Sequence, residues 1–330
     1  MPQLSLTSVL GIGVVAVTLG TFLSAAALSR AEEERTCESP YESGRASSLV
    51  SAHMNQDGAI ETSFPTPLIT TGREVSVVEE GVGEPARMGG YVDFDVTVFI
   101  GQSGSILTAS SYVPGNPVRR PVSTEVDDFF AEVLECQRPG SRVVVTAEIS
   151  DMFGEIEEDE FLQNETTLVA VVDVHNTYPG GATGSTRLPQ AGLPTITQAP
   201  TGEHGFSFPN APILEGLQVS VLKQGDGVAI APGDFVIAHF TGAVWNTRQV
   251  FTSSYERGVP LSLVMQDLTT SEGSPGVIPG ILEALVGQTV GSQILVSIPP
   301  ELGYPAGAAP AGVPDGSTLV YVLDILGVSN

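Results

Sequence analysis

The alternation of apolar and polar residues is clearest between Val219 and Val328. Strand-like runs of five to nine residues lie there at residues 235–240, 250–254, 260–264, 293–298 and 318–326, separated by turns rich in Gly, Pro and Ser. One short helix is predicted over 279–285, because Pro279 can begin it and Gly287 follows its end. An antiparallel sheet of five or six strands folded over a short helix is the simplest arrangement, so the predicted fold class is α+β.

The same pattern occurs earlier in the chain. Residues 75–81 parallel 219–225, and residues 89–92 parallel 233–236 at the same offset. Further matches join residues 110–112 to 253–255, 140–141 to 291–292 and 167–173 to 318–324. A repeat of this length predicts two copies of one domain rather than a solenoid.

The repeat divides the chain into five parts. We expect an apolar segment at 1–30, a polar lead-in at 31–65, a first module at 66–178, a linker at 179–210 and a second module at 211–330. The linker is rich in Pro, Gly and Thr with little hydrophobic periodicity, which predicts a semi-extended connection.

The first part of the chain has the character of an export signal. Residues 1–29 carry no charged side chain, residues 9–28 are almost wholly apolar, and the charged stretch 30–35 follows. A cleaved signal sequence and an uncleaved membrane anchor both fit this pattern, and a buried core helix is the alternative. Export predicts an extracytoplasmic location, with the membrane contacted only through this segment.

The overall charge and the scattered histidines exclude several classes of function. The net charge is −25, from 38 acidic and 13 basic residues, so the chain repels nucleic acid and anionic lipid headgroups. The four histidines are far apart in sequence, and neither they nor the cysteines show the spacing of metal ligands. We therefore expect no metal and no nucleic-acid partner.

The chain contains two cysteines, Cys37 and Cys136. In an oxidising compartment they are expected to form a disulfide that joins the lead-in to the first module. Two free buried thiols are the alternative.

Six motifs of the second module resemble the FKBP family of peptidyl-prolyl isomerases. They follow the family order at nearly the family spacing over about a third of the chain, with one longer loop at 266–275. The motifs are His239-Phe240-Thr241-Gly242, Phe251-Thr252-Ser253-Ser254, Arg257-Gly258-Val259-Pro260, Gly276-Val277-Ile278-Pro279-Gly280, Ile298-Pro299-Pro300-Glu301-Leu302-Gly303-Tyr304 and Thr318-Leu319-Val320-Tyr321. The resemblance implies two FKBP-like modules, each an antiparallel sheet wrapped over a short helix.

The resemblance also implies a substrate pocket with aromatic walls. Its predicted members are Phe240, Phe251, Leu261, Val277, Ile278, Ile281, Tyr304, Val313 and Tyr321. The backbone N–H of Ile278 and the hydroxyl of Tyr304 would bind substrate carbonyls, and Phe240 and Thr252 complete the catalytic set. Such a pocket needs no cofactor, because it lowers the rotation barrier of an X–Pro amide, ~20 kcal/mol, without breaking a covalent bond.

Two positions depart from the family pattern. Thr252 stands where the family commonly carries an Asp that hydrogen-bonds within the pocket, and Ile281 stands where it usually has an aromatic floor, often Trp. Isoleucine only reshapes an apolar floor, whereas threonine removes a charge and a strong acceptor. The resemblance therefore implies low catalytic activity and weakened binding of macrolide inhibitors.

The first module has lost most of the expected aromatic wall. By the repeat, Val96 replaces Phe240, Leu107 replaces Phe251 and Ala170 replaces Tyr321, while Phe153 replaces Tyr304 without its hydroxyl. We expect this module to be inactive.

The leading hypothesis from the sequence is an exported peptidyl-prolyl cis-trans isomerase. Its partners would be proline-containing segments of unfolded or secreted proteins. The alternatives are a non-catalytic peptide-binding chaperone and a cell-surface scaffold built on FKBP-like modules.

Overall fold

A computed structural model of the chain describes residues 37, 39–56, 58–113, 116–122, 129–157, 162–269 and 276–329. Contacts divide the chain into residues 1–40 and residues 41–330, and every strand and helix described below belongs to the second unit. The predicted export segment, 1–30, lies outside the described residues. Among the described residues, no helix has the length and apolar character needed to cross a membrane.

Two large antiparallel sheets and two separate hairpins dominate the described structure. The strands are β1 Ser51–Met54, β2 Ile60–Ser63, β3 Glu74–Glu79, β4 Tyr91–Ile100, β5 Ile106–Ala109, β6 Val118–Pro121, β7 Arg142–Glu148, β8 Thr167–Tyr178, β9 Ser185–Thr186, β10 Thr195–Gln198, β11 His204–Ser207, β12 Gln218–Gln224, β13 Phe235–Val244, β14 Gln249–Ser253, β15 Leu261–Val264, β16 Gln293–Ile298 and β17 Leu319–Ser329. The helices are α1 Phe129–Val133, α2 Ile149–Phe153 and α3 Pro279–Leu285.

The two large sheets have the same strand order. The first runs β3-β7-β8-β4-β5 with β6 paired to β4, and the second runs β12-β16-β17-β13-β14 with β15 paired to β13. The second sheet gains β9 from the linker as an additional edge strand beside β12. The expected α+β fold with two FKBP-like modules is confirmed. The exact module boundaries stay a prediction.

The irregularities of the two sheets also coincide. A register shift follows Val77 in the β3–β7 pair, and the corresponding shift follows Val221 in the β12–β16 pair. A second shift follows Asp93 in β4–β8, as one follows Ile237 in β13–β17. A bulge inserts one extra residue at a defined place in a strand. Because the bulges fall at equivalent positions, the two modules can be aligned residue by residue along these strands.

One match in the predicted repeat is displaced by one residue. The Phe240 N–H donates to Ser254 Oγ at 2.8 Å, and the Val96 N–H donates to Ser110 Oγ at 3.0 Å. Ser110 therefore corresponds to Ser254, not to Ser253 as the sequence match implied. The extra residue falls just before Tyr112, which has a positive φ of 49°.

The linker is folded, which corrects the expectation of a semi-extended segment. Strands β10 and β11 form a hairpin whose apolar residues cover the outer face of the second sheet. Trp245, Leu295 and Val320 lie on that face and are buried beneath the hairpin, with the Phe208 ring 5.5 Å from Trp245. Alternate residues of a strand point to opposite faces, and because the outward-facing residues of this sheet include apolar ones such as Leu295 and Val320, that face is covered as well.

The lead-in covers the first module in the same way. Val50, Ala52 and Ile60 of the β1–β2 hairpin region pack against Val144 and Val171 of the first sheet. Each repeated unit therefore extends beyond the residues whose sequence repeats, because each module also includes a hairpin that covers its sheet.

Helix α3 has the bounds predicted from the sequence. Pro279 occupies its first turn, where a missing N–H costs nothing, and Gly287 adopts a φ of 87° just past its end. The helix packs on the inner face of the second sheet so closely that a Cβ on Gly280 would lie 2.4 Å from Ile298 Cγ2.

Both cysteines of the chain, Cys37 and Cys136, are disulfide-bonded. The expectation of a disulfide is confirmed, and the alternative of two free thiols is excluded.

Candidate active site

A pocket of about 390 Å³ opens between the inner face of the second sheet and helix α3. All the predicted pocket and catalytic residues line it except Val313, which lies in a small adjoining cavity with Tyr304. The predicted members that the structure brings together are Phe240, Phe251, Thr252, Leu261, Val277, Ile278, Ile281, Tyr304 and Tyr321. Residues separated by more than 80 positions in the chain thus meet in one cleft.

Three aromatic rings form the walls. The ring centroid of Tyr321 lies 6.2 Å from that of Phe240 and 5.7 Å from that of Phe251, both in edge-on arrangements. Gly242 makes this packing possible, because a Cβ there would lie 2.7 Å from Tyr321 Cε1 and 2.9 Å from Thr252 Cγ2. The glycine of the first motif is therefore required by the walls of the pocket.

Two tyrosine hydroxyls meet at one end of the pocket. The Tyr304 and Tyr321 oxygens are 3.0 Å apart, and either can donate to the other. Tyr321 is buried, and burial raises its pKa well above 10, so its hydroxyl keeps its proton. When Tyr321 donates, Tyr304 is free to donate its own proton to a bound carbonyl.

The backbone amide of Ile278 supplies another donor. Ile278 precedes the first turn of α3 with φ −60° and ψ 148°, and it is 3% exposed. Its carbonyl accepts from the N–H groups of Ile281 and Leu282, but its own N–H has no acceptor among the described residues. Buried backbone donors are rarely left unpaired, so this N–H is available to a ligand carbonyl.

The floor is aliphatic. Ile281 lies in the first turn of α3 with 5% exposure, beside Val277. Replacing an aromatic floor by isoleucine keeps the surface apolar, as expected.

Several residues that line this pocket were not among those predicted from the sequence. Leu263 and Leu323 share a strand face with Leu261 and Tyr321, so the two-residue period of a strand could have found them. The others come from loops or turns, whose positions no periodicity predicts: Arg257, Leu268, Gly276 and Pro310.

Thr252 and Arg257 form the polar corner of the pocket. Arg257 Nη1 donates to Thr252 Oγ1 at 3.4 Å, and its guanidinium lies 5.7 Å from the centre of the Phe240 ring. Arg257 is the one charged residue among the lining residues that the structure describes. The family position that commonly holds Asp thus holds a neutral hydroxyl beside an arginine.

The first module has a groove in the corresponding place, of about 670 Å³. The register supports the predicted replacements: Val96 faces Val172 as Phe240 faces Leu323. The groove is not devoid of aromatic residues, however, because Phe94, Phe129 and Phe130 line it from positions that the repeat did not indicate.

Charge distinguishes this groove from the pocket of the second module. Arg73 lies 2.9 Å from a Glu132 oxygen and 3.3 Å from an Asp151 oxygen, and all three residues line the groove. No tyrosine is among its described lining residues. Although it is the larger cavity, its apolar residues are interrupted by this group of charged side chains, and its described lining has no hydroxyl donor equivalent to Tyr304.

The fold and the pocket together define a class of protein, an α+β module with an aromatic peptide-sized cleft over one helix. The sequence profile of the FKBP-type peptidyl-prolyl cis-trans isomerases matches residues 227–326. FK506-binding protein 1A of Neurospora crassa is 32% identical over 118 residues, which is 36% of this chain and 92% of that protein. The chain belongs to the FKBP-type peptidyl-prolyl cis-trans isomerase family.

Other similar proteins match over part of their length. The FKBP-type 22 kDa peptidyl-prolyl cis-trans isomerase of Escherichia coli K12 is 40% identical over 111 residues, 34% of this chain and 49% of that protein. The chain spans about half the length of that relative. The crystal structure of FkpA from Escherichia coli aligns at 31% identity over 42% of this chain and 53% of that chain, with a TM-score of 0.30.

Proposed function

We propose that the chain catalyses cis-trans isomerisation of X–Pro bonds in the pocket of its second module. The observation that carries this proposal is the N–H of Ile278, which has no acceptor within the described part of the chain and lies on the same aromatic cleft as the Tyr304 hydroxyl. Together they offer two separate donors to the carbonyls that flank a proline held between aromatic walls.

The proposed mechanism depends on the loss of amide resonance. A planar X–Pro amide carries charge on its carbonyl oxygen, and the twisted transition state carries less. An apolar cleft that excludes water therefore disfavours the planar ground state more than the transition state. The Ile278 N–H and the Tyr304 hydroxyl hold the neighbouring carbonyls while Phe240, Phe251 and Tyr321 surround the ring.

We further propose that the substrates are proline-containing segments of unfolded or secreted proteins in an extracytoplasmic compartment. The disulfide supports this location, because such bonds persist where the environment is oxidising. The first module contributes no turnover in this account, since charged residues occupy its groove and a tyrosine hydroxyl is missing from the described lining.

Thr252 favours a second candidate function, a non-catalytic peptide-binding chaperone. A neutral hydroxyl at this corner of the pocket supplies less electrostatic stabilisation than the carboxylate common in the family. Such a protein would bind extended segments in the same cleft without turning them over.

Two assays on the full chain separate the candidates. Isomerisation of a short X–Pro peptide, followed by protease-coupled absorbance or by NMR exchange, is expected to be accelerated. Refolding of a proline-free client, with protection from aggregation as the readout, then tests chaperone action. Acceleration that disappears in Phe240→Ala supports the isomerase. Protection of the client with no peptide turnover supports the chaperone.

A further inference from the structure

Arg257 lies at the mouth of the proposed active site, with no counter-charge among the residues that the structure describes. Its side chain is exposed, and its contacts in the structure are the Thr252 hydroxyl and the face of the Phe240 ring. No carboxylate among the described residues lies within 4.0 Å of its guanidinium. Both neighbours are pocket-lining residues, so the unpaired charge faces the place where a peptide would lie.

Three other arginines of this acidic chain have carboxylate partners. Arg73, Arg119 and Arg142 each pair with one or two carboxylates, at distances of 2.6 to 3.3 Å. At this corner the residue within reach is Thr252, whose hydroxyl cannot neutralise a guanidinium.

We propose that Arg257 binds a substrate carboxylate and makes the pocket selective for X–Pro segments with Asp or Glu beside the proline. The proposal rests on the proposed function, since it uses the same cleft. A guanidinium presents several donors in a planar fork, which suits a carboxylate better than an ammonium group would. Its position over Phe240 holds it at the aromatic wall that the proline ring would contact.

The expected selectivity is modest because the arginine is exposed. Solvent-exposed ion pairs correspond to a preference of about 1.5- to 5-fold, and salt screens them. The overall negative charge of the chain opposes the approach of acidic peptides, so any measured preference for acid is local to the cleft.

The test compares pairs of peptides that differ in one group. Each pair places Glu or the isosteric Gln next to the same X–Pro bond, before it or after it, and kcat/KM is measured on the full chain at low ionic strength. We expect a Glu to Gln ratio of about 2 to 5 for at least one position, falling to about 1 in 0.5 M salt. Arg257→Gln should abolish the preference and Arg257→Lys should retain part of it.

Arg248→Gln is the matched control. Arg248 is exposed in the turn after β13, carries the same charge and does not line the pocket. Its replacement changes the net charge as Arg257→Gln does and should leave the ratio unchanged. Thr252→Asp, which keeps Arg257 but places a carboxylate beside it, should lower the ratio toward 1.

The outcomes separate this inference from the proposed function. Absence of turnover with every peptide contradicts the isomerase activity, and the same peptide pairs are then compared by calorimetric binding. Turnover with a ratio of 1 in the wild-type chain overturns the role of Arg257 alone.

Discussion

The hydroxyl of Tyr91 in the first module lies 2.7 Å from Nε2 of His239 in the second. The other ring nitrogen, Nδ1, is 2.8 Å from Ser254 Oγ, and the same oxygen accepts from the backbone N–H of Phe240. His239 is fully buried and stacks on Tyr255 with ring centroids 4.0 Å apart. The contact between the two modules is therefore linked to the pocket wall. His239 and Phe240 are neighbours on strand β13, and the Ser254 hydroxyl hydrogen-bonds to both.

Removing the Tyr91 hydroxyl should weaken the second module as well as the first. Tyr91→Phe leaves a buried ring nitrogen of His239 without its partner, which costs about 1–3 kcal/mol. Trp245 is the single tryptophan and lies in the second module, so its fluorescence follows unfolding there. The midpoint of urea unfolding by this signal should fall in Tyr91→Phe.

The matched control for this change is Tyr112→Phe. Tyr112 donates to Asp173 within the first module, and its loss should move the Trp245 signal less. An unchanged Trp245 midpoint in Tyr91→Phe would show that the cross-module hydrogen bond does not support the second module.

Acidification should destabilise the folded chain through His239. Burial, together with the neighbouring His204 and Arg257, lowers the pKa of His239 from 6.5 to about 3. Below pH 6.5 the unfolded chain takes up a proton that the folded chain rejects, so the free energy of unfolding falls as the pH falls. The limiting slope is about 1.4 kcal/mol per pH unit for one histidine.

Urea unfolding at pH 7.0, 6.0 and 5.0 measures this slope above the range where carboxylates titrate. His239→Gln removes the titrating group and should flatten the dependence. Burial also lowers the pKa of His204, so a smaller slope of the same sign should remain. Equal slopes in the two proteins would contradict the assignment to His239.

Tyr304→Phe tests the hydroxyl donor proposed for the substrate carbonyl. The ring stays and one hydrogen bond, worth about 0.5–1.5 kcal/mol net, is lost, so kcat/KM should fall about 2- to 12-fold. Tyr112→Phe removes a tyrosine hydroxyl outside the pocket and is the control. Equal rates for Tyr304→Phe and wild type would remove Tyr304 from the mechanism.

How far the sequence predicts the site depends on how local each signal is. Helix α3 was predicted to the residue, because Pro279 and Gly287 mark its ends. The walls followed from motifs whose residues lie on adjoining strands. Arg257 and Leu268 come from turns, so their place at the pocket depends on tertiary contacts that periodicity does not encode.

The contact between the two modules and the two hairpins could not be predicted from the sequence for a related reason. His239 belongs to a pocket motif, yet on strand β13 it points away from Phe240 and meets Tyr91, 148 positions earlier in the chain. The linker hairpin has only two β-strands of four residues, and its apolar residues are spaced among Gly, Pro and Thr. Its stability comes from covering Trp245, a contact invisible in the local pattern.

Thr252→Asp should raise catalysis if the missing carboxylate limits it. An aspartate beside Arg257 gains a charge-assisted contact and restores an acceptor at the edge of the pocket. The gain in kcat/KM on an uncharged peptide is expected at about 2- to 10-fold, corresponding to one hydrogen bond. Thr252→Asn has nearly the same shape without the charge and should gain less. A loss of activity in a folded Thr252→Asp protein would show that the threonine is favourable.

The most direct test of the account compares Phe240→Ala with Val96→Ala in the full chain. The two residues occupy equivalent positions, opposite Leu323 and Val172 in their sheets, and each backbone N–H donates to a serine. Both variants are first checked for folding by circular dichroism, and kcat/KM is then measured on one X–Pro peptide. Phe240→Ala should lose more than 10-fold, because about 2–3 kcal/mol of apolar contact is removed from the wall. Val96→Ala should keep the wild-type rate. A rate that survives Phe240→Ala and falls in Val96→Ala would place the activity in the first module and contradict the account.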